Sequence, residues 1–187
     1  MSAVIPNCNG VTETYFQGIY KTVKTCSSCN NSCLTFNHFF HIKIVPKDNT
    51  TLAIAEALKD YCFDSQCSHC NSVCKHFISC TIYDHPRVLF LLIDRYTQSS
   101  SYARARRDLG RIFVEHDINL FGNKYELSGI VLHLGTTVNS GHYIAYIKRD
   151  GYWFICNDTN VQSVKSLPDP SGEAYLLFYT KHNGALL

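Results

Sequence analysis

The sequence contains no long apolar run. Its longest stretch, Val88 to Ile93, has six residues, against the roughly 20 that a membrane-spanning helix needs, so no membrane partner is expected. It has no excess of either charge. The 17 Lys and Arg against 15 Asp and Glu leave +2 with histidine neutral, which gives no strong field to draw nucleic acid or anionic lipid. There is no internal repeat and no low-complexity tract. Residues 1–10 lack both a charged start and an apolar centre, so they do not read as a secretion signal. Without such a signal, the Asn-x-Ser/Thr triplets that begin at Asn30, Asn49 and Asn157 carry little weight. A length of 187 residues with 45% apolar content fits one packed domain, or a domain and a lobe.

What the chain has in plenty is cysteine, ten residues in all. Disulfides would suit a secreted protein, and nothing directs secretion here. Reduced thiols inside the cell, in cytoplasm or nucleus, are the better reading, and some of them should hold a metal. Cys26-Ser27-Ser28-Cys29 and Cys67-Ser68-His69-Cys70 are two C-x-x-C knuckles. Tetrahedral zinc takes four soft ligands at about 2.3 Å, and two knuckles supply them. The 37 residues between Cys29 and Cys67 exceed the spacing of a simple zinc ribbon, so the knuckles must meet by tertiary folding. Cys33, Cys74 and His69 are competing ligands. Cys62, Cys80 and Cys156 fall in helix or strand patterns and read as small buried apolar residues. A zinc ribbon that binds nucleic acid is a distant alternative, because its surroundings are neither basic nor rich in exposed aromatics.

Residues 1–14 are polar and unpatterned and read as a loose terminus. His38 to Val45 alternates as a strand does. Thr50 to Cys62 fits a helix capped by Thr50 or Thr51, with Leu52, Ala55, Leu58 and Tyr61 on one side. His76 to Tyr83 and Arg87 to Ile93 are strands, the second expected to be buried on both faces. Thr97 to Arg111 is irregular and holds Arg104, Arg106, Arg107 and Arg111. A basic cluster of this kind is more often solvated surface than an anion site. Tyr125 to Leu134, Tyr143 to Lys148, Tyr152 to Cys156 and Ala174 to Thr180 complete the strands, with Asp150-Gly151 as a hairpin turn. The expected architecture is an antiparallel sheet with a small cysteine-bearing extension and at least one helix.

Gly141-His142-Tyr143 opens one arm of that hairpin and Asn157-Asp158 closes the other. Folding about residues 149–151 brings position 157 opposite 142 to within about one register step, and opposed side chains lie roughly 5 Å apart. An imidazole beside a carboxamide or carboxylate is the base and orienter of a cysteine protease. Gly141 would let a substrate backbone come close. Taken alone, a histidine at a strand start is more often structural, and His133 on the preceding strand is a rival.

Longer motifs sharpen this. Tyr125 to Gly135 followed by Ser140-Gly141-His142-Tyr143 resembles the histidine box of ubiquitin-specific proteases, Y-x-L-x-x-V-x-H-x-G and then G-H-Y. Trp153 to Asp158 and then Val161 is similar to the family's W-x-x-F-[DN]-D-x-x-V. Ala174 to Tyr179 resembles its closing strand, and Phe16-Gln17-Gly18 before Cys26 resembles the start of its zinc fingers. The resemblance implies an α+β fold of the papain-like cysteine peptidases, with an antiparallel palm sheet and a zinc-bearing fingers lobe over residues 16–187. It implies His142 as general base, Asn157 in the third triad position, Asp158 as an assisting acid, and Cys26, Cys29, Cys67 and Cys70 as structural zinc ligands. It also implies a structural part for His133, and Gly141 and Tyr143 beside the substrate. The substrate would be a conjugate of ubiquitin or a ubiquitin-like protein.

The departures from the family lie on the nucleophile side. Its G-N-T-C box does not occur within these 187 residues. Cys8, in Pro6-Asn7-Cys8-Asn9-Gly10, is followed by no helical pattern that would lower a thiol pKa. The thumb helices are expected to be missing, and Ile93-Asp94-Arg95-Tyr96 matches the family's L-K-R-F only loosely. The chain therefore reads as the base side of the cleft. It is either part of an active deubiquitinase that needs a thumb segment or an inactive ubiquitin-binding pseudoprotease.

Overall fold

A computed structural model describes residues 10–97, 106–107, 110–135 and 140–182. Cys8 and Arg104 lie outside the described residues. In chain order the elements are α1 (Val11–Phe16), β1 (Gly18–Cys26), β2 (Ser32–Phe39), β3 (Ile42–Ile44), α2 (Thr50–Ala57), β4 (Tyr61–Gln66) and β5 (Val73–Asp84). They continue with β6 (Val88–Ile93), β7 (Tyr96–Thr97), β8 (Arg106–Arg107), β9 (Asp117–Leu120) and β10 (Asn123–Leu134). The last four are β11 (His142–Arg149), β12 (Tyr152–Asn157), β13 (Asn160–Val164) and β14 (Ala174–Lys181). The class is α+β, dominated by strands. No helix among the described residues is long and apolar enough to cross a membrane.

The chain divides into two compact units. The first holds residues up to Phe40 together with Leu58–Pro86. It is a four-stranded antiparallel sheet ordered β2-β1-β5-β4. Its long hairpins end in the two cysteine knuckles. α1 occupies part of the stretch that reads as patternless in sequence. Its first turn starts from Gly10 at φ 69°, and the Thr14 N–H donates to the Gly10 carbonyl at 2.9 Å.

The second unit holds His41–Ala57 and the chain from Arg87 onward. Its eight-stranded sheet runs β13-β12-β11-β10-β14-β6-β3, with β9 also paired to β10. All pairings are antiparallel except β3 with β6. Leu89, Leu91, Ile93, Tyr125, Leu127, Leu177 and Tyr179 form its core, all fully buried. Arg95 is also buried. Its Nε donates to the Ala174 carbonyl at 2.7 Å, and its two terminal nitrogens donate to Gly110 and Ser171 carbonyls at 2.6 and 2.9 Å. A guanidinium with its donors spent on carbonyls ties the start of β14 to the chain after β6.

Several boundaries differ from the sequence reading. The helix expected to Cys62 stops at Ala57, and Tyr61 and Cys62 belong to β4. Pairing of this aromatic segment with β5 overrides its helical spacing. Asn49, not Thr50 or Thr51, caps α2: its Oδ1 accepts the Leu52 N–H at 2.8 Å. Thr50 instead donates to the Phe113 carbonyl. The strand expected over His38 to Val45 is two strands, β2 and β3, in different units. β6 is buried on alternate residues rather than on both faces. Cys62 is exposed, not buried, because β4 is an edge strand.

Candidate functional site

The hairpin that carries the histidine and asparagine is set by its turn. Arg149 pairs with Tyr152, and Asp150 and Gly151 between them take φ of 51° and 81°. These positive values define a type I′ turn, which matches strand twist. The ladder then pairs Ala145 with Cys156. Asn157 thus falls one diagonal step from His142 on the same face of the sheet, a distance polar side chains can bridge. They do: His142 Nε2 and Asn157 Oδ1 are 2.6 Å apart. The amide oxygen accepts, so Nε2 donates, and in the neutral imidazole that leaves Nδ1 as the acceptor. Both residues are exposed. Asp158 follows at φ 51° in the tight turn between β12 and β13, exposed as well.

The other neighbours of His142 are fixed from behind by His133. This ring is 2% exposed and stacks on Tyr143 at 4.5 Å between centroids. A Cβ placed on Gly141 would stand 2.1 Å from His133 Nε2 and 2.9 Å from the Leu134 carbonyl oxygen. The glycine is therefore demanded first by the approach of His133. Leu134 pairs with His142 and His133 with Tyr143 across β10 and β11. Lys148 on β11 bonds to Glu126 and holds that carboxyl below the usual carboxylate range.

The cysteine cluster is built from two copies of one local structure. In each, the chain runs Cys-x-x-Cys-Asn. The Asn30 N–H donates to the Cys26 carbonyl at 3.0 Å and the Asn71 N–H to the Cys67 carbonyl at 2.9 Å. Both asparagines have φ 57°, a conformation that asparagine tolerates better than most residues. The Asn that follows the second cysteine of each knuckle is the sequence signal for this likeness, and it lies outside the C-x-x-C spacing. The knuckles bring Cys26, Cys29, Cys67 and Cys70 together, with ligand atoms all within 4.8 Å of one another. Cys26 and Cys70, and Cys29 and Cys67, have sulfurs 3.9 Å apart. The edge of a tetrahedron with 2.3 Å metal–sulfur bonds is about 3.8 Å, so the donor set fits a metal of that kind. Backbone donation, first from the Cys29 N–H, holds the Cys26 thiol below its usual range, and the Ser72 N–H does the same for Cys70.

Of the competing ligands, Cys33 and His69 are exposed. Cys74 is close by, forming a second group with Cys26 and the buried His76.

A strand-borne histidine held by an amide oxygen is an arrangement in which a cysteine hydrolase can hold its general base. Comparison with known proteins gives the family. The family Ubiquitin carboxyl-terminal hydrolase matches residues 5–179, and the chain belongs to that family. It is 33% identical over 199 residues to Ubiquitin carboxyl-terminal hydrolase 8 of Saccharomyces cerevisiae, covering 92% of this chain and 42% of that protein. Probable ubiquitin carboxyl-terminal hydrolase 8 of Schizosaccharomyces pombe is 26% identical, covering 88% of this chain and 37% of that protein. The solved SAGA Ubp8/Sgf11/Sus1/Sgf73 DUB module bound to ubiquitin aldehyde contains a chain of the same fold. Its TM-score is 0.81 at 29% identity, over 94% of this chain and 43% of that one. The chain thus spans about two fifths of the length of these relatives.

Proposed function

We propose that this chain is the fingers-and-palm portion, residues 16–187, of a thiol-dependent deubiquitinase that cleaves isopeptide bonds between ubiquitin, or a ubiquitin-like protein, and lysine. The observation that carries the reading is the 2.6 Å bond from His142 Nε2 to Asn157 Oδ1. It fixes the tautomer and leaves Nδ1 free to take a proton from a thiol. The thiol comes from a thumb segment that carries the nucleophile. The thiolate attacks the isopeptide carbonyl, His142 returns the proton to the leaving lysine amine, and a thioester remains. Water then attacks the thioester with His142 again as base, releasing the carboxylate and the thiol. Asp158 assists Asn157 from the next position. Tyr143 and Gly141 line the approach of the substrate tail.

Zinc at Cys26, Cys29, Cys67 and Cys70 would be structural, stiffening the hairpins of the fingers. The free thiols of the described cysteines fit a protein of the cytoplasm or nucleus.

A ubiquitin probe with a thiol-reactive warhead, together with titration of isotope-labelled ubiquitin, tests the division of labour. The chain alone should shift ubiquitin resonances and stay unlabelled by the probe. With a cysteine-bearing thumb supplied, His142→Ala should lower turnover by about 100-fold or more, and Asn157→Ala by less. Covalent labelling of the chain at Cys8 would overturn the assignment of the nucleophile to another segment. Unmoved ubiquitin resonances would overturn the substrate.

A further inference from the structure

The fifth thiol at the metal cluster is not a ligand of the four-cysteine set, and its place suggests a different role. Cys74 Sγ lies 3.3 Å from Cys26 Sγ. That is shorter than the roughly 3.8 Å edge of a zinc–thiolate tetrahedron, so the two sulfurs cannot both be corners of one relaxed site. They are in contact instead. A disulfide bond of about 2.05 Å needs them to close by little more than 1 Å. The backbone on both sides is stapled, which keeps the sulfurs facing. The Ser27 N–H donates to the Lys75 carbonyl at 2.9 Å, and His76 Nδ1 lies 3.2 Å from the Cys74 carbonyl oxygen and 2.9 Å from Ser65 Oγ. The two thiols also differ in access: Cys26 is 1% exposed, while Cys74 is partly exposed.

We infer that Cys74 is a peroxide-oxidation site whose sulfur links to Cys26 and releases the structural metal. This rests on the zinc reading of the four-cysteine cluster. The Cys74 sulfur attacks one oxygen of hydrogen peroxide, the O–O bond breaks, and water leaves with the thiol proton. The product is a sulfenic acid. The Cys26 thiolate then attacks the Cys74 sulfur, the S–O bond breaks, and hydroxide leaves. Both sulfurs are oxidised to the disulfide level and one peroxide is reduced. A zinc held by the four cysteines would lose the thiolate of Cys26, the most buried of them, and the three that remain would hold it more weakly. A thiol reductant reverses the link, and added zinc refills the site.

The experiment treats the protein with hydrogen peroxide at neutral pH in the presence of a chromogenic zinc chelator. Peptide masses before and after then locate the disulfide. Zinc should leave together with formation of a Cys26–Cys74 disulfide. Cys74→Ser should start with the same zinc content and release it more slowly by about ten-fold or more. Cys33→Ser, which removes an exposed thiol, should behave as the unmodified chain. Release from Cys74→Ser at the unmodified rate, or Cys26 linked to a partner other than Cys74, would overturn the inference. If the purified protein carries no zinc, the metal assignment falls separately, and the mapped disulfide still decides whether Cys74 and Cys26 form the redox pair.

Discussion

Around His142 the decisive residue is a glycine. No side chain fits at 141, since a Cβ there would collide with His133 Nε2 at 2.1 Å. That ring cannot retreat easily, because it is buried and stacked on Tyr143. Gly141→Ala should therefore destabilise the protein by about 1–3 kcal/mol, the usual cost of overpacking. It should also displace the His142 imidazole, read as a large shift of its ring proton signals against small shifts in the other unit. An unchanged denaturation midpoint would show that His133 gives way freely. The histidine box was legible in sequence as a motif, and so was the partnership of His142 with Asn157. Spacing alone left His133 a rival base, while the family motif implied a structural part for it. The packing of strands β10 and β11 adds the detail, a buried ring set against Gly141.

Among the elements, the paired hairpins with their knuckles have the most to gain from a bound metal. The sheet β2-β1-β5-β4 exposes Leu34, Phe36, Phe77 and Tyr83, so its apolar burial is modest. Binding energy of a metal at the four cysteines would become folding energy for these hairpins. Elemental analysis should find about one zinc per chain. Cys67→Ser should lose it, and a chelator should broaden or collapse the amide signals of β1, β2, β4 and β5. Full metal retention in Cys67→Ser would refute the ligand set.

The strands of the palm were mostly legible, because alternation and the Asp150-Gly151 turn are local signals. The end of α2, the edge strand β4 and the break between β2 and β3 were not. At those places the chain passes from one unit to the other, and pairing partners distant in sequence decide the outcome over local spacing. β9 and β13 are short and were also missed.

At the scale of the whole molecule, the proposed function makes this chain one half of a catalytic apparatus. The long sheet presents the hydrogen-bonded His142 and Asn157, the proposed base and orienter, and these 187 residues include no G-N-T-C box. Family membership is set by the match over residues 5–179, while the span of about two fifths of each relative makes the turnover of the complete enzyme a matter for the probe experiment. The proposed function requires one state of His142 before any thiol arrives, with Nε2 protonated and bonded to Asn157 and Nδ1 unprotonated. Nitrogen–proton correlation spectra of the imidazole rings at neutral pH measure this directly. The expected result is the Nε2–H tautomer for His142, with an acceptor-type Nδ1, and loss of that preference in Asn157→Ala. A His142 ring protonated on Nδ1, or a tautomer indifferent to Asn157→Ala, would contradict it.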